Sequence, residues 1–118
     1  MTMIADGDVA VLAGEDQQIF SNLCLGGAGA ISASANIRAD LHVLMQRQLA
    51  QGELSAARRT FHRLLPWIHV AFSESNPAVI KGGLALQGMM ADELREPMQS
   101  CTAAMLAKLP GVLAGMAD

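Results

Sequence analysis

The chain has 118 residues, of which 52% are hydrophobic but only 3% aromatic, and a net charge of −3. That length bounds one domain with an aliphatic core, in which the eight methionines serve as pliable filler. The acidic balance argues against a nucleic-acid surface, which needs a basic stripe, and no apolar run reaches the roughly 18 residues of a membrane span.

Residues 1–8 read as a polar leader. Met1-Thr2-Met3-Ile4 is similar to the start of the β-galactosidase fragment used in cloning vectors, so this stretch reads as vector-derived. It lacks the basic start and long apolar run of a signal peptide, which implies a cytoplasmic chain with Cys24 and Cys101 as free thiols.

A first buried strand is expected over Val9 to Ala13. Asp16 is placed to cap a helix over 17–25, with Gly26-Gly27 as its stop. A second strand is expected over Ala30 to Ala33. The next helix opens at Asn36 or at Ala39-Asp40 and ends near Gln51-Gly52. Its Leu41, Leu44, Met45 and Leu49 follow the spacing of one buried face.

A long helix over 54–72 carries the stripe Phe61, Leu64, Leu65, Ile68 and Phe72, and Pro66 inside it should kink it. Asn76-Pro77 is a helix start, a cap followed by proline at the first helical position, and that helix reaches Gln87 despite Gly82-Gly83. Glu96-Pro97 opens a last helix with Met98, Cys101, Met105 and Leu109 on one face, ended or bent at Pro110-Gly111. The pattern is β-α-β-α followed by three more helices, in a single domain over 9–118. A short buried strand followed by a helix, twice over, is the mark of a parallel sheet.

At these residues the chain resembles the C-terminal part of the dihydrodipicolinate synthase and N-acetylneuraminate lyase family, Schiff-base-forming enzymes on a (β/α)8 barrel. Val11-Leu12-Ala13-Gly14-Glu15-Asp16 is similar to the family's seventh strand and the turn after it. Gly26 to Asn36 is similar to its eighth strand. Gly52-Glu53-Leu54 with Ala56-Ala57-Arg58 matches a helix junction. Phe72-Ser73-Glu74-Ser75-Asn76-Pro77-Ala78-Val79-Ile80-Lys81 matches the lead into the late helices, with Ser75 where the family usually has proline.

The resemblance implies an α/β chain by descent that is predominantly helical: the last two βα units of a TIM barrel plus three C-terminal helices, completed or rearranged by oligomerisation. In that family a lysine on the sixth strand forms an imine with pyruvate or a related 2-keto acid, a tyrosine ending the fourth strand relays protons, and a Thr-Thr pair after the second strand holds the carboxylate. The resemblance places all of these before Met1. What carries over is backbone: Gly14 lining the 2-keto-acid pocket and the carbonyl of Ile31 facing the substrate, with Ser32 and Ser34 flanking the strand end. No catalytic residue, cofactor or metal ligand carries over.

The remaining candidates each have a plain structural reading. Lys81 reads as a snorkelling or capping lysine on a peripheral helix, and Lys108 as a cation suited to a helix end. Glu15-Asp16 could form an acid–base pair but reads as carboxylates at a helix start. His42, His62 and His69 lack the i, i+4 pair with a third ligand that zinc would need. Ser32 and Ser34 lack a G-x-S-x-G elbow, and Gly26-Gly27-Ala28-Gly29 precedes a strand, the reverse of a dinucleotide fingerprint.

A two-stranded sheet is marginal in water and its apolar edges invite association, so the expected partner is the chain itself, as a homodimer or homotetramer. Function then divides three ways: a fragment related to 2-keto-acid lyases without their Schiff-base chemistry, a small oligomeric enzyme with an acquired activity such as weak hydrolysis or reduction, or a non-catalytic helical self-association module.

Overall fold

The computed structural model describes residue 7 and residues 9–117; the leader read over 1–8 lies outside them apart from Gly7. Two compact units divide the chain, residues 1–62 and residues 63–118.

In the first unit, β1 (Leu12–Ala13) pairs in parallel with β2 (Gly29–Ala30), Leu12 opposite Gly29 and Ala13 opposite Ala30. A 3-10 turn over Asp16–Gln18 leads into α1 (Ile19–Cys24), which crosses back to β2. A second 3-10 turn, Ser34–Asn36, precedes α2 (Ala39–Ala50). The core here is Ala13, Ile19, Met45 and Ala57, with Phe20, Leu23, Leu49 and Phe61 packed against it. Phe20 and Phe61 stack with centroids 5.1 Å apart. Thr60 is buried and donates from Oγ1 to Gln48 at 2.7 Å.

The strands are shorter than the sequence pattern suggests. The ladder is extended by Ala28 N–H donating to Val11 O and Ile31 N–H to Ala13 O, both at 2.9 Å, and beyond that the chain turns away. The buried side chain of Asn22, on α1, clamps the pair from the helix side: its Nδ2 donates to Val11 O at 3.3 Å and Gly29 O at 3.2 Å. The clamp needs glycine at 27, where a Cβ would lie 2.1 Å from Asn22 Nδ2. Gly26, at φ +95°, makes the turn that stops α1.

α3 (Leu54–Ala71) passes from the first unit into the second without a break at Pro66. Its buried residues in the second unit are Leu64, Trp67, Ile68, Val70 and Ala71. The stripe expected from the sequence contains Leu64 and Ile68 but omits Trp67, and Phe72 falls past the helix end with 37% exposure. α4 (Ala78–Leu86) and α5 (Ala103–Ala114) complete this unit and pack on each other.

Three helix boundaries correct the sequence reading. Asn76 supplies no side-chain cap, and α4 begins at Ala78 with Pro77 as its cap residue; the Ala78 N–H is already satisfied by Ser75 O at 2.9 Å. The last helix begins at Ala103, not at Glu96-Pro97. Residues 91–102 form a loop closed by Ser100 Oγ donating to Asp92 O at 2.9 Å. The start falls at Thr102 because its hydroxyl accepts from Met105 N–H while donating to Glu74 Oε2 at 2.8 Å, and its own N–H donates to Glu74 Oε1 at 3.0 Å. The same helix runs through Pro110-Gly111 to Ala114. Leu109 and Met116, buried on either side, hold it, and Arg63 donates to Met116 O at 2.7 Å.

Gly82 and Gly83 sit buried inside α4. Helical glycine costs about 1 kcal/mol relative to alanine, and close packing offsets that at Gly82, where a Cβ would lie 2.6 Å from Cys101 Sγ and 3.2 Å from Leu106 Cδ2. Gly82→Ala is therefore expected to destabilise the chain by about 1–2 kcal/mol through overpacking. In urea unfolding, the Gly82→Ala/Cys101→Ala pair should lose less than the two single changes summed, because removing Sγ opens the space that the new methyl needs.

Burial, and then the carboxylates of Glu74 and Asp92, push the Cys101 thiol above its ordinary value of 9.0. The neutral thiol is thus the form that the fold prefers. Its contribution is complete below about pH 9 and is lost as pH rises further. Cys24 is exposed and Cys101 buried. A thiol reagent at pH 8 should modify one cysteine in the native chain, Cys24, and both only after unfolding; equal rates would contradict the packing.

Candidate functional site

Parallel pairing brings the C-terminal ends of β1 and β2 to the same level, so the residues that follow each strand meet. Gly14 follows β1 and is exposed, and a Cβ there would meet nothing within 4 Å. Ile31 follows β2, its N–H bonded to Ala13 O and its side chain 72% exposed. The two positions carried over by resemblance are therefore neighbours at one open strand end.

Asp16 does not cap a helix. It is 2% exposed, and its Oδ2 accepts from Ser32 Oγ–H and from Ser34 N–H, both at 2.8 Å. The carboxylate after the first strand thus holds the loop after the second. Ser32 Oγ also accepts from Ala35 N–H at 3.2 Å and lies 3.3 Å from Ser34 Oγ. Ser34 is fully buried, and its Oγ lies 3.2 Å from His42 Nε2. His42 Nδ1 lies 3.1 Å from Arg38 O. A carbonyl only accepts, so Nδ1 carries a hydrogen.

The acid, hydroxyls and imidazole do not make an open nucleophilic site once their surroundings are counted. Ser34 has no access to solvent. Ser32 Oγ has its directions taken by its own Cβ, Asp16, Ala35 N–H and Ser34. The arrangement is a clasp that joins both strand ends to the start of α2. The sequence marks Ser32 and Ser34 as possible site residues but does not show that Asp16 and His42 flank them. The usable signal is topological: Asp16 and Ser32 stand three and two residues past paired parallel strands.

A pocket of about 110 Å³ lies beside the clasp, lined by Ile19, Leu23, Ala30, Ser32, His42 and Val43 among others. Arg38, at φ +59°, precedes α2 and pairs with Asp40 at 2.8 Å on the surface. The hydrogen bond from Arg38 holds the Asp40 carboxyl below its usual range. Glu15 is exposed and so forms no buried pair with Asp16. Lys81 reaches the backbone carbonyl of Glu93, a structural tether. Among the described residues no three His, Cys, Asp or Glu gather closely enough to hold a metal ion, and no helix is long and apolar enough to cross a membrane.

The family model for the dihydrodipicolinate synthetase family matches residues 1–114. The chain belongs to that family. It is 44% identical over 93 residues to a 4-hydroxy-tetrahydrodipicolinate synthase of Syntrophobacter fumaroxidans, covering 77% of this chain and 32% of the relative. It is 34% identical over 116 residues to that of Methanothrix thermoacetophila, covering 98% of this chain and 39% of the relative. The crystal structure of dihydrodipicolinate synthase from Thermotoga maritima superposes with a TM-score of 0.92 at 31% identity, over 98% of this chain and 39% of that one. These structural neighbours are TIM barrels, and the chain spans about two-fifths of their length. The mostly helical fold with its small parallel sheet is consistent with a piece of such a barrel.

Asp16→Ala is expected to cost about 2–4 kcal/mol, since it leaves the Ser34 N–H and the Ser32 hydroxyl without their acceptor in a buried setting. Asn36→Ala, removing one exposed bond to Ala33 O, should cost under about 1 kcal/mol. Urea unfolding of both variants tests the ranking; equal losses would remove Asp16 from its central place.

Proposed function

We propose that this chain supplies part of a 2-keto-acid site, the ends of the last two barrel strands, and does not carry out Schiff-base chemistry by itself. The observation that carries this reading is the juxtaposition of Gly14 and Ile31 at one open strand end, held by the Asp16 clasp. Gly14 allows a bound carboxylate or carbonyl to approach the backbone, a usual reason for glycine beside a ligand. Ile31 offers backbone at the same level.

Among the described residues, the strand-end unit holds no lysine. Imine formation needs a lysine whose ammonium is destabilised by burial or by a cationic neighbour. Lys81 is tied to Glu93 O in the second unit, and Lys108 is exposed on α5. Neither lies in the strand-end unit. In the family pattern the lysine belongs to the sixth strand, so the lyase activity requires residues beyond the matched segment. The related synthases carry the name 4-hydroxy-tetrahydrodipicolinate synthase, and a pyruvate-type substrate is the natural ligand class for the completed site.

Treating the purified chain with pyruvate and borohydride should give no mass increase on either lysine. A covalent adduct on Lys81 or Lys108 would overturn the assignment.

A further inference from the structure

We propose that His42 is a positioning residue for the strand end, acting through the Ser34 hydroxyl, which turns between His42 and Ser32 as the imidazole loses or gains a proton. This rests on the reading above only for its consequence: the residues so positioned, Gly14 and Ile31, are the ones assigned to the 2-keto-acid site.

The hydrogens along the clasp require this movement. Ser32 Oγ carries one hydrogen, and Asp16 Oδ2 takes it at 2.8 Å. Ser32 therefore meets Ser34 Oγ, 3.3 Å away, only as an acceptor. At the other end His42 Nδ1 carries a hydrogen toward Arg38 O at 3.1 Å. In the neutral ring Nε2 is then bare, and its 3.2 Å contact with Ser34 Oγ becomes a hydrogen bond when Ser34 donates. With the hydroxyl hydrogen turned to His42, none lies between Ser34 and Ser32. In the charged ring Nε2 also carries a hydrogen and donates to Ser34 Oγ, so the Ser34 hydrogen turns to Ser32. Every hydrogen then runs one way, from His42 through Ser34 and Ser32 to Asp16. One hydroxyl thus couples the charge of His42 to the carboxylate that holds both strand ends.

The ring is placed to exchange protons while the hydroxyl is not. His42 is half-buried on α2 and lines the pocket of about 110 Å³ beside the clasp, whereas Ser34 is sealed from solvent. Nothing else that lines this pocket is charged: α1 contributes Ile19 and Leu23, β2 Gly29 and Ala30, and α2 Val43 and Gln46. Among the described residues, the charged groups at this end are Asp16, two hydroxyls away from the ring, the exposed Glu15 beside it, and the Arg38–Asp40 pair at the start of α2, joined at 2.8 Å. The hydroxyl path is therefore the direct route from His42 to the clasp.

NMR of the full, isotope-labelled chain between about pH 5 and 8, where histidine ordinarily changes charge, tests this. The neutral His42 ring should carry its hydrogen on Nδ1, with Nε2 bare. The Ala35 amide, which donates to Ser32 Oγ, and the Ser34 amide, which donates to Asp16, should shift with the same midpoint as the His42 ring. Both shifts should vanish in His42→Gln. In Ser34→Ala the ring still titrates, but the Ala35 amide should lose most of its shift, because the hydroxyl that couples them is gone. A neutral ring protonated on Nε2 would overturn the proposal, and that measurement needs no variant. So would amides that ignore the His42 midpoint, or an Ala35 shift kept in full in Ser34→Ala, which would make the effect one of charge through space. A borohydride-trapped pyruvate adduct would sink the 2-keto-acid reading and leave these shifts unchanged, so the two failures are distinguishable.

Discussion

A single buried carboxylate organises the strand-end unit. Asp16 follows one strand yet its Oδ2 accepts twice from the loop after the other. Loss of that one oxygen would leave two donors without their acceptor. A two-stranded parallel sheet has little cohesion of its own. Its register here comes from two polar devices, Asn22 at the helix side and Asp16 at the far ends, more than from the ladder. Because Asp16 is 2% exposed, the clasp tolerates no casual replacement: a buried acid without partners is costly.

The second unit solves a similar problem in its own way. Residues 91–102 have no regular structure, so α5 needs an external fix for its first turn. Glu74 provides it by taking both the N–H and the hydroxyl hydrogen of Thr102, leaving that oxygen free to accept from Met105 N–H. Gly82 then lets α4 come close enough for Cys101 to fill the gap. In both units a carboxylate from one loop decides where the next element starts, and small residues decide how closely it packs.

This pattern explains which parts of the fold are legible in the sequence. Helices with a clear apolar face, such as 39–50 and 54–71, declare themselves because one residue in three or four repeats on the core side. Capping is less legible. Asp16, Asn76 and Pro97 all have the local chemistry of a helix start, yet tertiary partners decide differently: Asp16 is drawn to Ser32 and Ser34, and Thr102 wins the last helix because Glu74 is there to bind it. Those partners lie 16 to 28 residues away, beyond the reach of a local pattern. Pro110 has the look of a helix end because it breaks the local bonding, but burial of Leu109 and Met116 carries the helix past it.

The candidate site is legible at the level of position and not of role. Gly14, Ile31, Ser32 and Ser34 are all at the strand ends, as their order along a parallel sheet requires. Their division of labour emerges only when hydrogens are counted. Ser32 donates once and accepts once, with a further hydroxyl in its remaining direction, and Ser34 is sealed from solvent. Hydroxyls so engaged cannot present a free lone pair to a substrate without breaking the clasp that holds Gly14 and Ile31 together. On the proposed reading, the rigidity that suits this strand end to be a pocket wall is also what keeps its own side chains occupied in the clasp.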